Sequence, residues 1–543
     1  MTRPLENIAN AGLSNWLARF FGAVPLLFTI SATLAFGFGT PAFAFAQGFR
    51  SITINVRQTG AAFHSPLNVC IGGDHAANEI HAEVFRQMAI AHRQCGIAYI
   101  RFHGLLDDDM HVVRRTANGR LVYNWRMIDR LYSGILAAGL KPVVELSFMP
   151  DALASGKATI FYYRGNITPP AHYKQWGDLI HALAGHLEKR FGQKQVRTWY
   201  FEVWNEPNGM LSTGGFPAYF KLFAAADRAI KSVDPELRVG GPATAGMAWI
   251  SRFIAACRKH HLSVNFISTH TYGCGPHKWP NGKKGLRVAA NPRAIAGGID
   301  WTRQRIFKSS LPHLPLIITE WGPSYSARDA VHDTYFQAVW LIEQVHAMKH
   351  PPAIMSYWAL SDIFEEDAPQ QYPFQGCFGI FNPQGIEKPT FFALKYLHEL
   401  PGPQINTHDP DSIAVAENGG VALLAWNYHW PKQTMRDDDF FSQIHASAPA
   451  RTIALDISHL HPGKYQLEVY AEGFDHNDAY TIYQRWGRPH VLSRMQLKTL
   501  RRATENRPMI QRTIRVRQSG IWKYRIPMRT NRVLLLKLSR GGQ

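Results

Sequence analysis

A (β/α)8 barrel followed by a smaller β-sandwich-like domain is the fold this sequence predicts, on three observations. Between about residues 66 and 400, eight short apolar runs alternate with amphipathic stretches of helical length. One of those runs ends in glutamate and another runs into one two residues later, and after Pro401 the helical period gives way to β-prone runs. Strands that alternate with helices pair in parallel, and eight such units close on themselves with their chemistry at the carboxyl ends of the strands.

The strand candidates are Asn68–Gly72, Ala98–His103, Pro142–Ser147, Thr198–Trp204, Arg238–Gly241, Phe266–His270, Leu316–Glu320 and Ile354–Trp358. Between them, Glu79–Cys95, Trp125–Gly139, Tyr173–Phe191, Tyr219–Val233 and Val331–Lys349 have the period and length of helices. Past Pro401 the β-prone runs are Ser412–Val415, Gly420–Trp426, Thr452–Leu455, Tyr465–Tyr470, Gln511–Val516 and Val533–Leu538. The reading is a barrel over residues 47–400 and a β-domain over 401–543, with the β-prone Gly48–Val56 free to pair with that domain.

Residues 1–46 read as a signal peptide. Arg3 and Arg19 precede an apolar run from Phe20 to Phe38, and Ala44-Phe45-Ala46 is a small-x-small cleavage pattern before Gln47. Export to the periplasm or medium is the expectation; the alternative is an uncleaved membrane anchor, since the run is nearly long enough to span a bilayer. The net charge of +19 is concentrated at the other end, where residues 485–543 hold 16 Lys plus Arg against Glu505 alone. Such a cluster suits an anionic polymer or a membrane surface, or is simply a solvated basic face. No nucleic-acid motif accompanies it. Five scattered cysteines, with no Cys-x-x-Cys pair and no zinc-like His spacing, suggest single buried thiols, and no metal or cofactor is implied.

The most informative segment is Trp199–Asn208. In it an aromatic, β-branched strand runs into Trp204-Asn205-Glu206-Pro207-Asn208, and Pro207, lacking an N–H, must stop the ladder. Asn205 and Glu206 therefore fall at the rim of the fourth strand. The seventh strand ends alike, with Glu320 after Leu316-Ile317-Ile318-Thr319, where a glutamate would be costly in the interior but not at the rim. A carboxylic acid facing a carboxylate across a bond is what glycoside hydrolysis requires, to protonate the leaving oxygen and to meet the charge at the anomeric carbon. A catalytically idle sugar-binding protein would not need both glutamates, and a metal-dependent hydrolase would need a ligand cluster.

These motifs, together with Arg101–Leu106, Asp108–Met110, Lys141–Pro150, Thr319–Ser326, His332–Thr334, Tyr357-Trp358, Ser361–Glu366 and Phe474–Tyr480, resemble glycoside hydrolase family 39 in order and over nearly the whole mature chain. The family contains β-xylosidases and α-L-iduronidases. The resemblance implies a retaining double displacement with Glu206 as acid/base and Glu320 as nucleophile, and Asn205 as donor to the sugar 2-hydroxyl. His103 and His270, at the ends of the second and sixth strands, can reach sugar hydroxyls or the carboxylates. Tyr272 can donate to the nucleophile, Trp358 can offer a flat face to the pyranose, and Glu365 or Glu366 can accept from its hydroxyls. An iduronidase is expected to carry a cation just after the sixth-strand histidine. Here Thr271-Tyr272-Gly273 follows, so a neutral sugar and β-xylosidase activity are the leading expectation. Processing of an exopolysaccharide is the second.

Overall fold

The computed structural model describes residues 48–279 and 282–541; the signal peptide read in residues 1–46 lies outside them. Eight parallel strands close into a barrel: β1 Cys70–His75, β2 Tyr99–His103, β3 Lys141–Leu146, β4 Tyr200–Val203, β5 Arg238–Thr244, β6 Phe266–Tyr272, β7 Leu316–Gly322 and β8 Ile354–Tyr357. Around it lie α1 Ala82–Cys95, α2 Arg126–Ala137, α3 Tyr173–Phe191, α4 Gly215–Val233, α5 Ile250–Lys259, α6 Ala294–Phe307, α7 Phe336–His346 and α8 Pro389–His398.

The departures from the sequence reading have local causes. β1 begins at Cys70 instead of Asn68, because Pro66–Asn68 form a 3-10 turn capped by the Ser65 side chain, which accepts from the Leu67 N–H. α7 begins at Phe336 instead of Val331, because Ala330–Asp333 make a separate 3-10 turn capped by Asp329. Inside the barrel, Cys70, Val143, Phe266, Ile317 and Ile354 form a buried apolar floor. Above it the interior turns polar, which is the layer from which the site is built.

The β-domain is assembled from both ends of the chain. A seven-stranded sheet runs Thr59–Ala62, Pro403–Ile405, Ser412–Glu417, Gly420–Trp426, Val533–Arg540, Gly463–Glu472, Ile510–Val516. Facing it, Arg50–Asn55, Pro449–Ser458 and Trp522–Arg529 form a three-stranded sheet, and a second apolar core including Ile52, Ile54, Leu455, Leu467, Ile526 and Leu536 fills the space between. Residues 50–62 therefore go with 403–540, and the division at residue 47 is corrected: Arg50–Asn55 pairs in parallel with Ile453–Ser458, not with the barrel. The domain also holds helices that its β-prone texture did not suggest, Asp437–Phe441, Ala479–Arg485 and Arg494–Ala503, so part of the basic C-terminal segment is helical. Trp426 Nε1 donates to Glu343 of α7 at 2.7 Å, and Lys537 pairs with Glu399 just past α8 at 2.6 Å, tying the domain to the barrel. The five cysteines are unpaired, four of them buried and Cys274 half-buried.

Candidate active site

The end of β4 is bent to aim two side chains inward. Trp204 (φ 72°) and Glu206 (φ 42°) sit in the left-handed region, which non-glycine residues occupy at a cost and mostly where the surroundings enforce it. The enforcement is visible: the Glu206 N–H donates to the Ala243 carbonyl at 2.8 Å, and the Glu206 carbonyl accepts from Gly209 at 2.8 Å and Met210 at 2.6 Å. Its carboxylate then meets the ring of His270, with Nδ1 to Oε1 at 2.9 Å. Asn205 Oδ1 accepts from Arg101 at 2.8 Å.

Across the barrel the register of β6 and β7 does the equivalent work. A shift between Thr269 and His270 brings His270 opposite Glu320 and Tyr272 opposite Gly322. Tyr272 donates its hydroxyl to Glu320 Oε1 at 2.5 Å, while Arg101 Nη1 donates to Oε2 at 3.0 Å. Both carboxylates keep a little access to solvent, Glu206 at 8% and Glu320 at 7%.

Arg101 is the hub that sequence reasoning did not single out. Fully buried on β2, it also contacts Glu202 of β4 at 3.0 Å and Glu145 of β3 at 2.6 Å. Glu202 takes a second bond from Thr319 at 2.8 Å, and Glu145 takes bonds from His103 Nδ1 and from the Ser147 hydroxyl. The signal was present in the sequence: a charge inside each of the apolar strands Tyr99–His103, Pro142–Ser147 and Thr198–Trp204 is affordable only if it is paired. One cation among several carboxylates leaves negative charge uncompensated. Burial, with the charge of Glu145 adding to it and Arg101 opposing, pushes Glu206 up to about 7. Burial likewise lifts Glu145 to about 7 and holds His103 and His270 neutral, at about 3 and about 4.

The remaining expected residues divide. Glu366 reaches the site, its Oε1 3.3 Å from His103 Nε2, and burial together with the charge of Glu320 raises it well above the usual carboxyl range. Glu365 is fixed by its backbone, whose N–H donates to Asp74 at 2.8 Å. Trp358, just past the end of β8, is only 1% exposed. Rings of His103 at 4.7 Å and Phe364 at 6.1 Å flank it, and the Arg101 guanidinium lies 5.6 Å from its centroid. It is a wall that supports His103. Its fit depends on Gly72, where an added Cβ would stand 2.3 Å from the indole.

Glu206, His270 and Glu320 each place one ligand atom within 4.8 Å of the others, a spacing a metal ion could bridge. The donor set does not fit one: the Arg101 guanidinium already lies 3.0 Å from Glu320 Oε2 and would repel a second cation.

A (β/α)8 barrel with paired carboxylates at the ends of β4 and β7, one ionisable near neutrality, defines an enzyme of the glycosidase class. The comparisons narrow this. The family model of glycosyl hydrolases family 39 matches residues 50–521. A beta-xylosidase of Caldicellulosiruptor saccharolyticus is 36% identical over 465 residues, covering 84% of this chain and 91% of that one. A human alpha-L-iduronidase is 32% identical over 161 residues, 28% of this chain and 22% of that one. The crystal structure of a monomeric beta-xylosidase from Caulobacter crescentus CB15 superposes with a TM-score of 0.88 at 38% identity, over 91% of this chain and all of that one. The chain belongs to glycosyl hydrolases family 39 and is a glycoside hydrolase.

Proposed function

We propose that the enzyme is a retaining β-xylosidase that releases non-reducing-end xylosyl units, with Glu320 as nucleophile and Glu206 as acid/base. The observation that carries the mechanism is separation. One oxygen of each carboxylate lies within 4.8 Å of the other, which suits the about 5–5.5 Å between carboxyl groups of retaining sites better than the about 6.5–9.5 Å that admits a water in inverting ones. A Glu320 oxygen attacks the anomeric carbon as the glycosidic C–O bond breaks, and the proton of Glu206 passes to the leaving oxygen. Water then attacks the same carbon, gives its proton to Glu206, and the ester to Glu320 breaks. The position of Glu206 near pH 7 suits both halves of this cycle.

For the sugar, the support is the segment after His270. Tyr272 stands where a cation would meet a sugar carboxylate, and its hydroxyl is taken by Glu320; the two beta-xylosidase relatives also match this chain over far more of its length than the human iduronidase does. Export rests on the leader pattern of residues 1–46; no helix among the described residues is long and apolar enough to cross a membrane. Contact with an anionic polymer or surface is a further part of this reading, supported by Arg494, Lys498, Arg502, Arg515 and Arg517, which make no ion pair among the described residues.

Chromogenic β-xyloside, α-arabinoside, β-glucoside and α-iduronide, assayed with wild type and Glu320→Ala, test the proposal. The β-xyloside should be hydrolysed fastest and only by wild type. A preference for the iduronide would overturn the specificity, and equal inactivity on all four would overturn the small-glycosidase reading. Azide should rescue Glu206→Ala on a substrate with a good leaving group by forming a β-glycosyl azide.

A further inference from the structure

His270 has both ring nitrogens committed. Nε2 lies 3.3 Å from Nη2 of Arg101, and a guanidinium has donors only. Arg101 cannot turn away, because Glu202, Glu320 and Asn205 accept from its Nε, Nη1 and Nη2 and Glu145 pairs with the guanidinium by charge at 2.6 Å; the second hydrogen of Nη2 is the one that faces His270. Nε2 must therefore present a lone pair, which leaves the single ring proton on Nδ1. That atom lies 2.9 Å from Glu206 Oε1 and 3.5 Å from Glu320 Oε2.

We propose that His270 is a positioning residue whose tautomer is dictated by Arg101, and that its fixed Nδ1–H divides the labour of Glu206, holding Oε1 and leaving Oε2 to carry the transferable proton. The inference rests on the acid/base reading of Glu206 and adds to it. The titratable or charged groups that face His270 are Arg101 and His103 from β2, Glu145 from β3, Glu202 and Glu206 from β4 and its rim, and Glu320 from β7. Around Glu206, besides His270, the charges of Arg101 and Glu145 act on it, an oxygen of Glu320 lies within 4.8 Å, and Tyr272 and Glu366 feel its charge. Burial keeps the ring neutral, at about 4, so the tautomer does not change across the working range of the enzyme.

The consequence follows the charge. During glycosylation Glu320 loses its negative charge by becoming an ester, and Glu206 gains one by losing its proton. A donor already held on Glu206 Oε1 at 2.9 Å meets the charge that this residue gains, with no proton of its own transferred. Because it stabilises the ionised form of Glu206, it makes that residue a stronger acid than burial alone would allow. Without it, the pKa of Glu206 rises by about one unit.

The test compares His270→Leu, which removes the donor, with His270→Asn, whose amide can place an N–H near the position of Nδ1. The alkaline limb of kcat/KM should move up by about one unit in the leucine variant and stay near wild type in the asparagine variant, with the loss in His270→Leu larger for poor leaving groups than for nitrophenol. A folded His270→Leu with an unmoved limb, or equal shifts in both variants, would overturn the proposal. Should His270→Leu fail to fold, [15N]histidine-labelled wild type decides. The resonance missing from His270→Asn should report an Nδ1–H, neutral imidazole from pH 5 to 9, and an Nε2–H or doubly protonated ring would overturn the proposal. Glu206→Ala separates the two readings: full activity there on poor leaving groups would sink the acid/base role and leave the tautomer measurement standing.

Discussion

Two buried cations in this barrel are each held among carboxylates, and they do different things. Lys388 lies between Asp333 at 2.7 Å and Asp362 at 2.9 Å, with no member of the trio more than 1% exposed. The Gly376 and Gly379 N–H groups complete the coordination of the two aspartates. The trio is closed, and it pins residues 361–388, the segment that carries Glu366. Arg101 is equally buried but faces Glu145, Glu202 and Glu320, with Glu206 close by, and two of those carboxylates open to solvent. A buried cation between acids is thus no sign of catalysis. What separates the sites is access, together with a larger surplus of acids, two on Lys388 against three with Glu206 close by on Arg101.

The largest effects should break that comparison in opposite directions. Glu320→Ala should lower kcat by about 10^4-fold or more, since a nucleophile has no substitute, and should leave the melting temperature near wild type because Arg101 keeps Glu145 and Glu202 as partners. Lys388→Met should do the reverse. Removing one partner of a buried ion cluster costs about 3–5 kcal/mol, so thermal melting should fall markedly while kcat/KM of the folded protein stays within a few-fold of wild type. A Lys388→Met protein that melts normally and is inactive would move that trio into the chemistry.

Tyr272→Phe should have an intermediate effect. It removes one hydrogen bond to Glu320 and keeps the ring against Tyr325. A bond to a charged group is worth about 1.5–3 kcal/mol, which predicts a loss of about 10- to 100-fold in kcat/KM. A change confined to KM with kcat intact would show that the hydroxyl serves substrate binding instead of the nucleophile.

How much of this could be read beforehand depended on whether a signal was local. The strands of the barrel follow from apolar runs, and the two glutamates from runs that end in a carboxylate, with Pro207 marking one end. The capping box at Ser493 and Gln496, which starts the helix Arg494–Ala503, is also a local signal, but one masked by its β-prone surroundings. Trp522–Arg529 escaped because Pro527 and alternating Lys and Arg disguise it; it is an edge strand of the three-stranded sheet, where a proline is tolerated. The role of Arg101 was not local at all. Its partners lie 44 to 219 residues away in sequence, and only closure of the barrel shows that one guanidinium serves several acids. The surroundings of Trp358 are hidden for the same reason, since a tryptophan at a strand end does not reveal that His103 and Phe364 flank its ring.

The smallest predicted effect tests the excess of charge directly. Glu206 must be protonated to act as acid, and with its pKa raised to about 7, kcat/KM should fall above that pH toward a tenfold loss per unit. Glu145 also titrates at about 7 and its charge raises Glu206. As the pH climbs, ionisation of Glu145 makes Glu206 hold its proton more tightly, so the two should yield a drawn-out limb belonging to the pair and not to either residue. Glu145→Gln removes that opposing charge and keeps the size of the side chain. Its limb should therefore lie below that of wild type and be steeper, the opposite direction to His270→Leu. A limb at or above the wild-type position in Glu145→Gln would mean that desolvation alone holds Glu206 near neutrality, and that the crowd of carboxylates around Arg101 serves only to hold the barrel together.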